Sequence, residues 1–545
     1  MPNIEINKHD FEELTGREFT EEELMEDASM MGVHWHGVDD DKCQVEVYPN
    51  RPDLLSVEGL ARAYRGFFEI ETGLREYEAQ EGIIKVEKDS SVEKVRPHIG
   101  CAVVRNLELD EAGINGLIQL QEKLHESMGR QREKLAIGLH DLSNITPPFT
   151  YRAVEPEEVS FQPLEHEDEL NLGQILEEHE KGQKYSWILE EHDEYPVIID
   201  SEDQVLSFPP IINNQLTEVH SGTTDIFIDV TGTDEETVKK ALNIVATTLA
   251  ERGGDIESVE VDGENMPDLT PRVMELDPKY LRKVSGLEIS DEQVVRNLKK
   301  MRLGAEIEDG TVNVEVPAYR DVMMHQYDLI EEVVIAQGYD KIEPEIPEVD
   351  QAAEQQPIEQ FSDLVRDILL RSGATETNTR VLTSKEKQLD MMKVEEEIPT
   401  LKNTVSEERS ATRIRLLPSM LKVLNTNKHN AYPQSFFETA DVTLLDDTPE
   451  GASNRRKAVY VETGDVDFTD AREILQVLER DLGIELSVHK GSRPFLKPAR
   501  SGEVYLNGES VGYIGEVSGE VLDNWELEKP VSAFELDLEK LRELK

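Results

Sequence analysis

Hydrophobic and polar positions follow regular patterns along almost the whole chain, with two different periods. Where apolar residues recur every three or four positions, the pattern predicts amphipathic helices. These helices are expected at 20–31, 57–68, 118–128, 234–250, 291–301 and 328–337. Where apolar residues alternate or run on between turn residues, the pattern predicts strands. These strands are expected at 32–38, 42–47, 99–104, 196–199, 204–208, 226–230 and 311–316.

Short local motifs predict where several of these elements begin or turn. Thr20 and Glu23 have the spacing of a capping box at a helix start. Ser56 is well placed as the N-cap of the helix at 57–68. Asn507-Gly508 between two alternating segments predicts a tight β-hairpin.

Polar connections divide the elements into four blocks, at 1–75, 90–255, 270–346 and 357–545. Helices and strands are mixed in every block, so we expect a multidomain α+β fold. The first and third blocks are small, and the last ends in alternating strands and tight turns.

Composition excludes some classes of protein. The 545 residues are 38% hydrophobic and 32% charged, which is less apolar than a typical globular chain. No run of about 18 apolar residues exists, so we expect no membrane span. The first residues resemble no secretory signal, and Cys43 and Cys101 are too few for a disulfide framework. We therefore expect a cytoplasmic protein.

The net charge of −58 bears both on the partners of the protein and on the kind of organism it comes from. Taken alone, the charge argues against a nucleic-acid partner, because basic surfaces normally bind nucleic acid. Molar salt screens charges over about 3 Å, and an acidic surface keeps a protein soluble there. The acidic excess is spread along the chain, which favours a cytosolic protein of a halophile. An ordinary acidic protein is the alternative.

Four carboxylates form the first candidate site. Asp328, Glu331 and Glu332 are spaced i, i+3 and i+4 on one predicted helix, and Asp321 precedes that helix. Clustered carboxylates suit a hard cation such as Mg²⁺. The alternative is that these residues only complement a helix N-terminus.

A rare concentration of basic residues forms the second candidate site. It comprises Lys123, His125, Glu126, Arg130, Arg132 and Lys134, and the residues His140, Asp141 and Ser143 follow. These side chains could contact phosphate or position a water molecule, or they could be a solvated helix face and turn. The polar loop at 207–214, which includes Ser207 and Asn213, could line a small-molecule pocket or could only connect two elements.

Several segments, in order along the chain, resemble the phenylalanyl-tRNA synthetase beta-subunit family in its archaeal and eukaryotic form. They lie at 48–59, 118–125, 136–141, 207–213, 229–234, 328–332, 338–339, 427–429 and 534–537. Because these segments lie in order along the chain, the resemblance extends over essentially its whole length.

The resemblance implies a role for each block. Block 90–255 would be an editing module that hydrolyses tyrosine mischarged onto tRNA(Phe), because a phenylalanine pocket rejects an added hydroxyl poorly. Block 270–346 would be a small metal-binding module, and block 357–545 a class II synthetase-like antiparallel sheet with helices that has lost its catalytic residues. The implied editing-pocket residues are His125, Arg130, Lys134, His140, Asp141, Ser207 and Asn213.

The resemblance also implies partners and cofactors. An alpha subunit would carry the aminoacylation site in an (αβ)₂ heterotetramer with tRNA(Phe), ATP would be a substrate of the complex, and Mg²⁺ a cofactor. In the family the first metal aspartate lies six residues before the second, and that position here is Val322, next to Asp321. The alternatives are a free-standing tRNA deacylase and a non-catalytic scaffold that binds tRNA and a partner subunit.

Overall fold

The fold is mixed α+β, as the computed structural model shows for residues 2–38, 42–320, 322–349 and 352–545. The chain forms two compact units, residues 1–346 and 347–545. Among the described residues, no helix is both long and apolar enough to cross a membrane.

The first unit begins with a three-stranded antiparallel sheet of order β1-β3-β2, packed with two helices. Its elements are β1 (Asn3–Asn7), α1 (Lys8–Thr15), β2 (Val33–Val38), β3 (Lys42–Val47) and α2 (Val57–Phe67). Ser56 caps α2 by accepting a hydrogen bond from Gly59 N at 3.0 Å, which confirms the predicted start of that helix.

A ten-stranded sheet follows in the same unit, with order β12-β11-β10-β7-β4-β14-β5-β13-β6 and with β15 paired to β14. Its strands and helices are β4 (Lys85–Lys88), β5 (His98–Arg105), α3 (Glu111–Glu126), β6 (Leu135–Asp141), β7 (Phe149–Val154), β8 (Ser160–Phe161), β9 (Leu170–Asn171), α4 (Leu172–Glu178), α5 (Glu180–Tyr185), β10 (Tyr195–Ile199), β11 (Val205–Phe208), β12 (Ile212–Asn213), β13 (Ile226–Gly232), α6 (Glu235–Ala250), β14 (Asp255–Val261) and β15 (Glu264–Met266). Of these, β8 and β9 form a separate two-stranded pair.

The last part of the first unit is a three-stranded antiparallel sheet of order β16-β18-β17 with three helices. Its elements are β16 (Arg272–Leu276), α7 (Pro278–Ser285), α8 (Asp291–Lys300), β17 (Gly304–Glu308), β18 (Thr311–Val316) and α9 (Gln326–Gln337). Leu298, Val314 and Val333 are fully buried and belong to one core between the sheet and its helices.

Buried ionic and cation–π contacts join these parts within residues 1–346. Arg252, at the end of α6, donates to Asp10 of α1 at 2.7 and 3.0 Å and also pairs with Glu58 of α2. The Arg62 guanidinium of α2 lies 3.5 Å from the centre of the Tyr319 ring, next to the third sheet. The contacts involve buried groups on elements distant in sequence, so they fix how the parts pack.

The second unit is built on a seven-stranded sheet of order β19-β22-β23-β27-β26-β25-β24. All its pairs are antiparallel except β19 with β22. The elements are α10 (Pro357–Arg371), β19 (Thr375–Glu376), β20 (Leu382–Thr383), β21 (Ala411–Thr412), α11 (Leu417–Asn427), β22 (Gln434–Leu445), β23 (Ala452–Thr463), α12 (Phe468–Leu482), β24 (Leu486–Lys490), β25 (Leu496–Leu506), β26 (Glu509–Val517), α13 (Gly519–Asn524), β27 (Val531–Asp537) and α14 (Leu538–Leu544).

Two predicted helices differ from the structure. The helix expected at 118–128 begins seven residues earlier, at Glu111, because Asp110 caps it by accepting from Gly113 N at 2.8 Å. The helix expected at 20–31 is instead a π turn, Glu23–Asp27, followed by a 3₁₀ turn, Ala28–Met31.

Candidate functional site

A cavity of about 270 Å³ lies against the ten-stranded sheet. Helix α3, strands β6 and β13 and the loop between β11 and β12 form its walls. Its apolar lining includes Leu117, Ile137, Phe208 and Ile211, and its polar lining includes Gln121, Glu122, His125, Arg132, Ser207, Asn213, Thr217 and Asp229. A few polar groups set among apolar walls are typical of a small-molecule site.

The periodicity of α3 supplies one wall of the cavity. Leu117, Gln121 and His125 lie four residues apart on the helix, so their side chains share one face, and all three line the cavity. His125 Nε2 accepts a hydrogen bond from Ile137 N of β6 at 2.8 Å, which ties the helix to the sheet.

Asp229 lies on the opposite wall, where a glycine makes room for it. Asp229 of β13 is paired in register with Gly138 of β6. A Cβ atom at position 138 would lie 1.9 Å from Asp229 Oδ2, so only glycine allows the carboxylate to take this position.

His140 holds the same carboxylate from behind. Its Nε2 lies 2.8 Å from Asp229 Oδ2 and its Nδ1 lies 2.8 Å from Thr217 Oγ1. A carboxylate oxygen is a hydrogen-bond acceptor, and Nε2 is the ring nitrogen placed to donate to it. Both His140 and Asp229 are buried, and this contact therefore fixes the orientation of Asp229.

Glu122, His125 and Arg132 form a second polar group in the cavity. Arg132 Nη2 donates to Glu122 Oε1 at 2.6 Å, and Nη1 donates to the carbonyl oxygen of Ile211 at 2.8 Å. Burial lowers the pKa of His125 to about 4, so the ring is neutral at pH 7. Contacts with His125 and with Arg132 hold the pKa of Glu122 well below its usual range.

Three polar atoms of the cavity are buried without a partner in good hydrogen-bond geometry among the described residues: Arg132 Nε, Ser207 Oγ and His125 Nδ1, which lies 3.5 Å from Glu122 Oε1. Because Nε2 of His125 accepts a backbone bond, the neutral ring carries its proton on Nδ1. Buried polar atoms normally have partners. Three such atoms therefore belong to residues that line one cavity.

The structure places some of the residues predicted for a pocket at this cavity and others elsewhere. His125, Ser207 and Asn213 line it, and His140 lies directly behind Asp229.

The remaining predicted residues do not line this cavity. Lys134 pairs with Asp234 at 3.4 Å, and Asp141 accepts from Thr223 Oγ1 at 2.5 Å. Arg130 has a positive φ of 47° at the turn after α3. Lys134 and Asp141 therefore make contacts at a helix cap and a turn beside the site.

Sequence reasoning about the pocket missed Asp229, Gly138 and Glu122. Asp229 carried a recognisable signal, since it is the one acid in the otherwise apolar segment 226–230. Gly138 carried none, because its importance depends on a cross-strand pairing between distant segments.

The carboxylates predicted to bind a metal ion have other contacts. Asp328 Oδ2 accepts from the backbone N of Met324 and of His325, both at 2.7 Å. Glu332 is buried and accepts from Arg320 Nη2 at 2.7 Å, whereas Glu331 is exposed.

These contacts bear on whether the described residues fit Mg²⁺. Asp321 lies outside the described residues. Across the described part of the chain, no group of three or more His, Cys, Asp or Glu side chains is placed to hold a metal ion. The three described carboxylates are therefore not grouped around one point in this structure.

The sheet of the second unit holds two buried carboxylates, each with internal partners. Glu438 accepts from Arg413 Nη1 at 2.9 Å and from Thr379 Oγ1 at 2.6 Å. Glu535 accepts from Lys457 Nζ at 3.0 Å and from the backbone N of Leu416 and Leu417, both at 3.0 Å. These carboxylates are already neutralised by the protein itself.

Three family models match consecutive parts of the chain. The "B3/4 domain" matches residues 104–269 and includes the cavity, and the "tRNA synthetase B5 domain" matches 274–339. The "Phenylalanyl tRNA synthetase beta chain CLM domain" matches residues 342–538.

Relatives match over almost the full length. The chain is 41% identical to the phenylalanine–tRNA ligase beta subunit of Pyrococcus abyssi, over 99% of this chain and 100% of that one. It is 39% identical to the beta subunit of Methanosarcina barkeri, over 99% of each. A crystal structure of an N-terminal fragment of the Pyrococcus horikoshii beta subunit matches with a TM-score of 0.60 and 40% identity, covering 62% of this chain and 100% of the fragment.

The fold and these matches define a subunit of an aminoacyl-tRNA synthetase. Within that class, the chain belongs to the phenylalanine–tRNA ligase beta-subunit family. The family predicted from the sequence is confirmed. The comparisons favour neither the free-standing deacylase nor the non-catalytic scaffold.

Proposed function

We propose that this chain works with an alpha subunit in the ATP-dependent attachment of phenylalanine to tRNA(Phe), and that its cavity hydrolyses tyrosine mischarged onto that tRNA. Family membership supports the ligase function. The three unpartnered polar atoms in the cavity carry the proposal of editing.

The aminoacylation site belongs to the alpha subunit in this proposal. Block 357–545 is a class II-like domain without catalytic residues, and the internal partners of Glu438 and Glu535 support that assignment. ATP is accordingly a substrate of the complex, which is an (αβ)₂ heterotetramer in the cytoplasm. Co-expression with the alpha subunit and measurement of the mass of the complex test the stoichiometry.

Editing follows from the polarity of the cavity. Tyrosine differs from phenylalanine by one hydroxyl, which both donates and accepts hydrogen bonds. Asp229 offers an acceptor, and Ser207 and His125 Nδ1 offer donors. A site built to bond a hydroxyl rejects the analogue that lacks it by about 10⁴-fold, because its buried polar groups stay unpaired.

Hydrolysis of Tyr-tRNA(Phe) and Phe-tRNA(Phe) by the purified complex tests this proposal. We expect Tyr-tRNA to be hydrolysed much faster than Phe-tRNA. Asp229→Ala and Ser207→Ala should each slow that hydrolysis at least tenfold with aminoacylation unchanged. Asp141→Asn, which alters a buried acid outside the cavity lining, is the control. Equal rates for the two aminoacyl-tRNAs would refute editing.

Mg²⁺ at Asp321, Asp328, Glu331 and Glu332 stays a prediction. The ion pair between Glu332 and Arg320 argues against it, because Arg320 already supplies the positive charge that buried carboxylate needs. Elemental analysis of the purified complex tests it. Equal metal content in the wild type and in the variant Asp328→Ala/Glu331→Ala would rule the metal site out.

A further inference from the structure

A second cleft, of about 350 Å³, lies within the second unit, and Thr379, which donates to Glu438 of the sheet, is one of its lining residues. The turn after β19, strand β20, the turns at 386–390 and 407–409, and the outer face of α11 surround it. No part of the ligation or editing proposal uses this cleft.

Four cations line the cleft: Arg380, Lys387, Arg409 and Lys422. Glu408 is the one carboxylate among the lining residues. Within the described part of the chain, none of the four cationic groups has an ion-pair partner at 4.0 Å or less.

Lys385, Lys402, Lys490, Lys540 and Arg542 of the same unit also have no ion-pair partner within 4.0 Å among the described residues, so what distinguishes the four cations is that they line one cleft. Asp and Glu outnumber Lys and Arg by 115 to 57, so a cation anywhere has an excess of carboxylates to pair with. Elsewhere in the same unit Arg456 pairs with Glu359 and Asp441, and Lys497 and Arg500 both pair with Glu516. The four cations of the cleft are left for a negative ligand from outside.

A buried donor without a partner also belongs to the wall of the same cleft. Trp525 lines the cleft and is 5% exposed, and its Nε1 has no hydrogen-bond partner among the described residues. An indole N–H can only donate. Asn378 and Ser419 add neutral donors at the rim. The site therefore combines charged and neutral donors, and a group with several acceptor oxygens satisfies them.

We propose that this cleft binds backbone phosphates of the tRNA. The proposal rests on the proposed function, which makes RNA the polyanion that this chain meets. RNA is the polyanion that the proposed function supplies, and its phosphate oxygens accept from Arg, Lys, indole and amide donors. Leu382 and Val423 also line the cleft and give a ribose an apolar surface.

Neutral donors matter because charge contacts weaken in salt. Each phosphate neutralised by Lys or Arg releases counterions, so this part of the affinity falls as salt rises. The hydrogen bonds from Trp525, Ser419 and Asn378 are not subject to counterion release. A mixed donor set therefore keeps a phosphate site working in salt concentrations that abolish a purely ionic one.

The test measures binding of a fluorescent tRNA(Phe) transcript to the complex of the full chain with its alpha subunit, from 0.1 to 1 M KCl. Lys422→Glu/Arg409→Glu should weaken binding at least tenfold at 0.2 M KCl and reduce the slope of log K against log salt by about 2. Trp525→Phe, which removes only the N–H and keeps a ring, should weaken binding twofold to fivefold.

Lys490→Glu/Arg542→Glu is the matched control, because it changes the net charge equally at exposed positions outside the cleft. It should change tRNA affinity less than twofold. Equal effects of the two double variants, at unchanged thermal stability, would overturn the cleft site. Failure of the wild-type complex to bind tRNA would instead refute the proposed function.

Two further measurements distinguish RNA from other possible ligands of the cleft. Equilibrium dialysis with ATP detects a free-nucleotide site. ATP binding that is lost in Lys422→Glu/Arg409→Glu while tRNA affinity is unchanged would overturn the RNA proposal. Loss of the alpha subunit on co-purification of that variant, but not of the control, would mark the cleft as a protein interface and overturn it too.

Discussion

At the scale of single residues, the cavity depends on one glycine. Asp229 Oδ2 occupies the volume that a side chain at position 138 would fill. The carboxylate is held there by His140, which is itself bonded to Thr217. The position of Asp229 therefore depends on the absence of a Cβ atom at residue 138 as much as on the hydrogen bonds around the carboxylate.

Gly138→Ala tests this dependence directly. The new Cβ would lie 1.9 Å from Asp229 Oδ2, so the carboxylate has to move. We predict at least a tenfold loss of Tyr-tRNA hydrolysis with aminoacylation unchanged. Gly116→Ala is the control, because a Cβ there has no neighbour within 4 Å, and alanine stabilises a helix by about 1 kcal/mol. Unchanged hydrolysis in Gly138→Ala would contradict the role given to Asp229.

His125 should make stability depend on pH. Burial lowers its pKa from 6.5 to about 4, so between these values the unfolded chain binds a proton that the folded chain does not. The neutral His125 ring therefore makes its full contribution to the free energy of unfolding above pH 6.5. This contribution, up to about 3 kcal/mol, is lost as the pH falls toward 4. Urea unfolding midpoints at pH 7.5 and 5 measure it.

His125→Gln should reduce the drop in midpoint between those two pH values. His220→Gln provides the comparison, since the His220 side chain is 63% exposed. A variant whose midpoint drops as far as that of the wild type would show that His125 does not carry this dependence.

At the scale of elements, α9 is held to the preceding loop by a buried ion pair. Arg320 and Glu332 have side chains 4% and 7% exposed, with Nη2 and Oε1 2.7 Å apart. Removing one partner of such a pair costs about 3–5 kcal/mol, because the other charge stays buried alone.

We predict that Arg320→Met lowers the urea midpoint strongly and that Arg320→Met/Glu332→Met recovers most of the loss. The exposed pair Arg296–Glu69 serves as control, since its side chains are 70% and 39% exposed. Arg296→Met should cost less than about 1 kcal/mol. A double variant as unstable as the single one would show that the pair is not what holds α9.

Local sequence signals were enough for the elements whose ends depend on neighbouring residues. Ser56 begins α2, and the Asn507-Gly508 turn joins β25 to β26, both as predicted. Thr20 and Glu23 form the predicted capping box, with the Glu23 N to Thr20 Oγ1 distance 3.2 Å. In these cases the donor, the acceptor and the turn all lie within a few residues of each other.

Prediction failed where the deciding contact was distant or where two local tendencies competed. Gly113 and Gly116 weaken the helical pattern of 111–117, so only the cap at Asp110 shows where α3 begins. The pairing of Asp229 with Gly138 joins strands far apart in sequence, and no local pattern reveals it. The cavity therefore required the structure, although several of its residues did not.

At the scale of the whole molecule, net charge proved a poor guide to partners. A charge of −58 argued against RNA, yet the chain belongs to a tRNA ligase family. Many of the cations form internal ion pairs, including Lys134 with Asp234 and Arg132 with Glu122. A polyanion can therefore bind only where unpaired cations lie close together, as they do in clefts.

The same charge predicts how the protein responds to salt. If −58 is an adaptation to molar salt, repulsion among surface carboxylates destabilises the fold in dilute buffer, where the Debye length is about 10 Å at 0.1 M. We predict that the melting temperature of the complex rises by about 10 °C or more between 0.1 and 2 M KCl, where screening acts over a few ångströms. Sucrose, which stabilises folded proteins without screening charge, is the control and should give a smaller rise at equal osmolality. A melting temperature independent of KCl would favour an ordinary acidic protein. It would show that repulsion among the surface carboxylates does not limit the thermal stability of the fold.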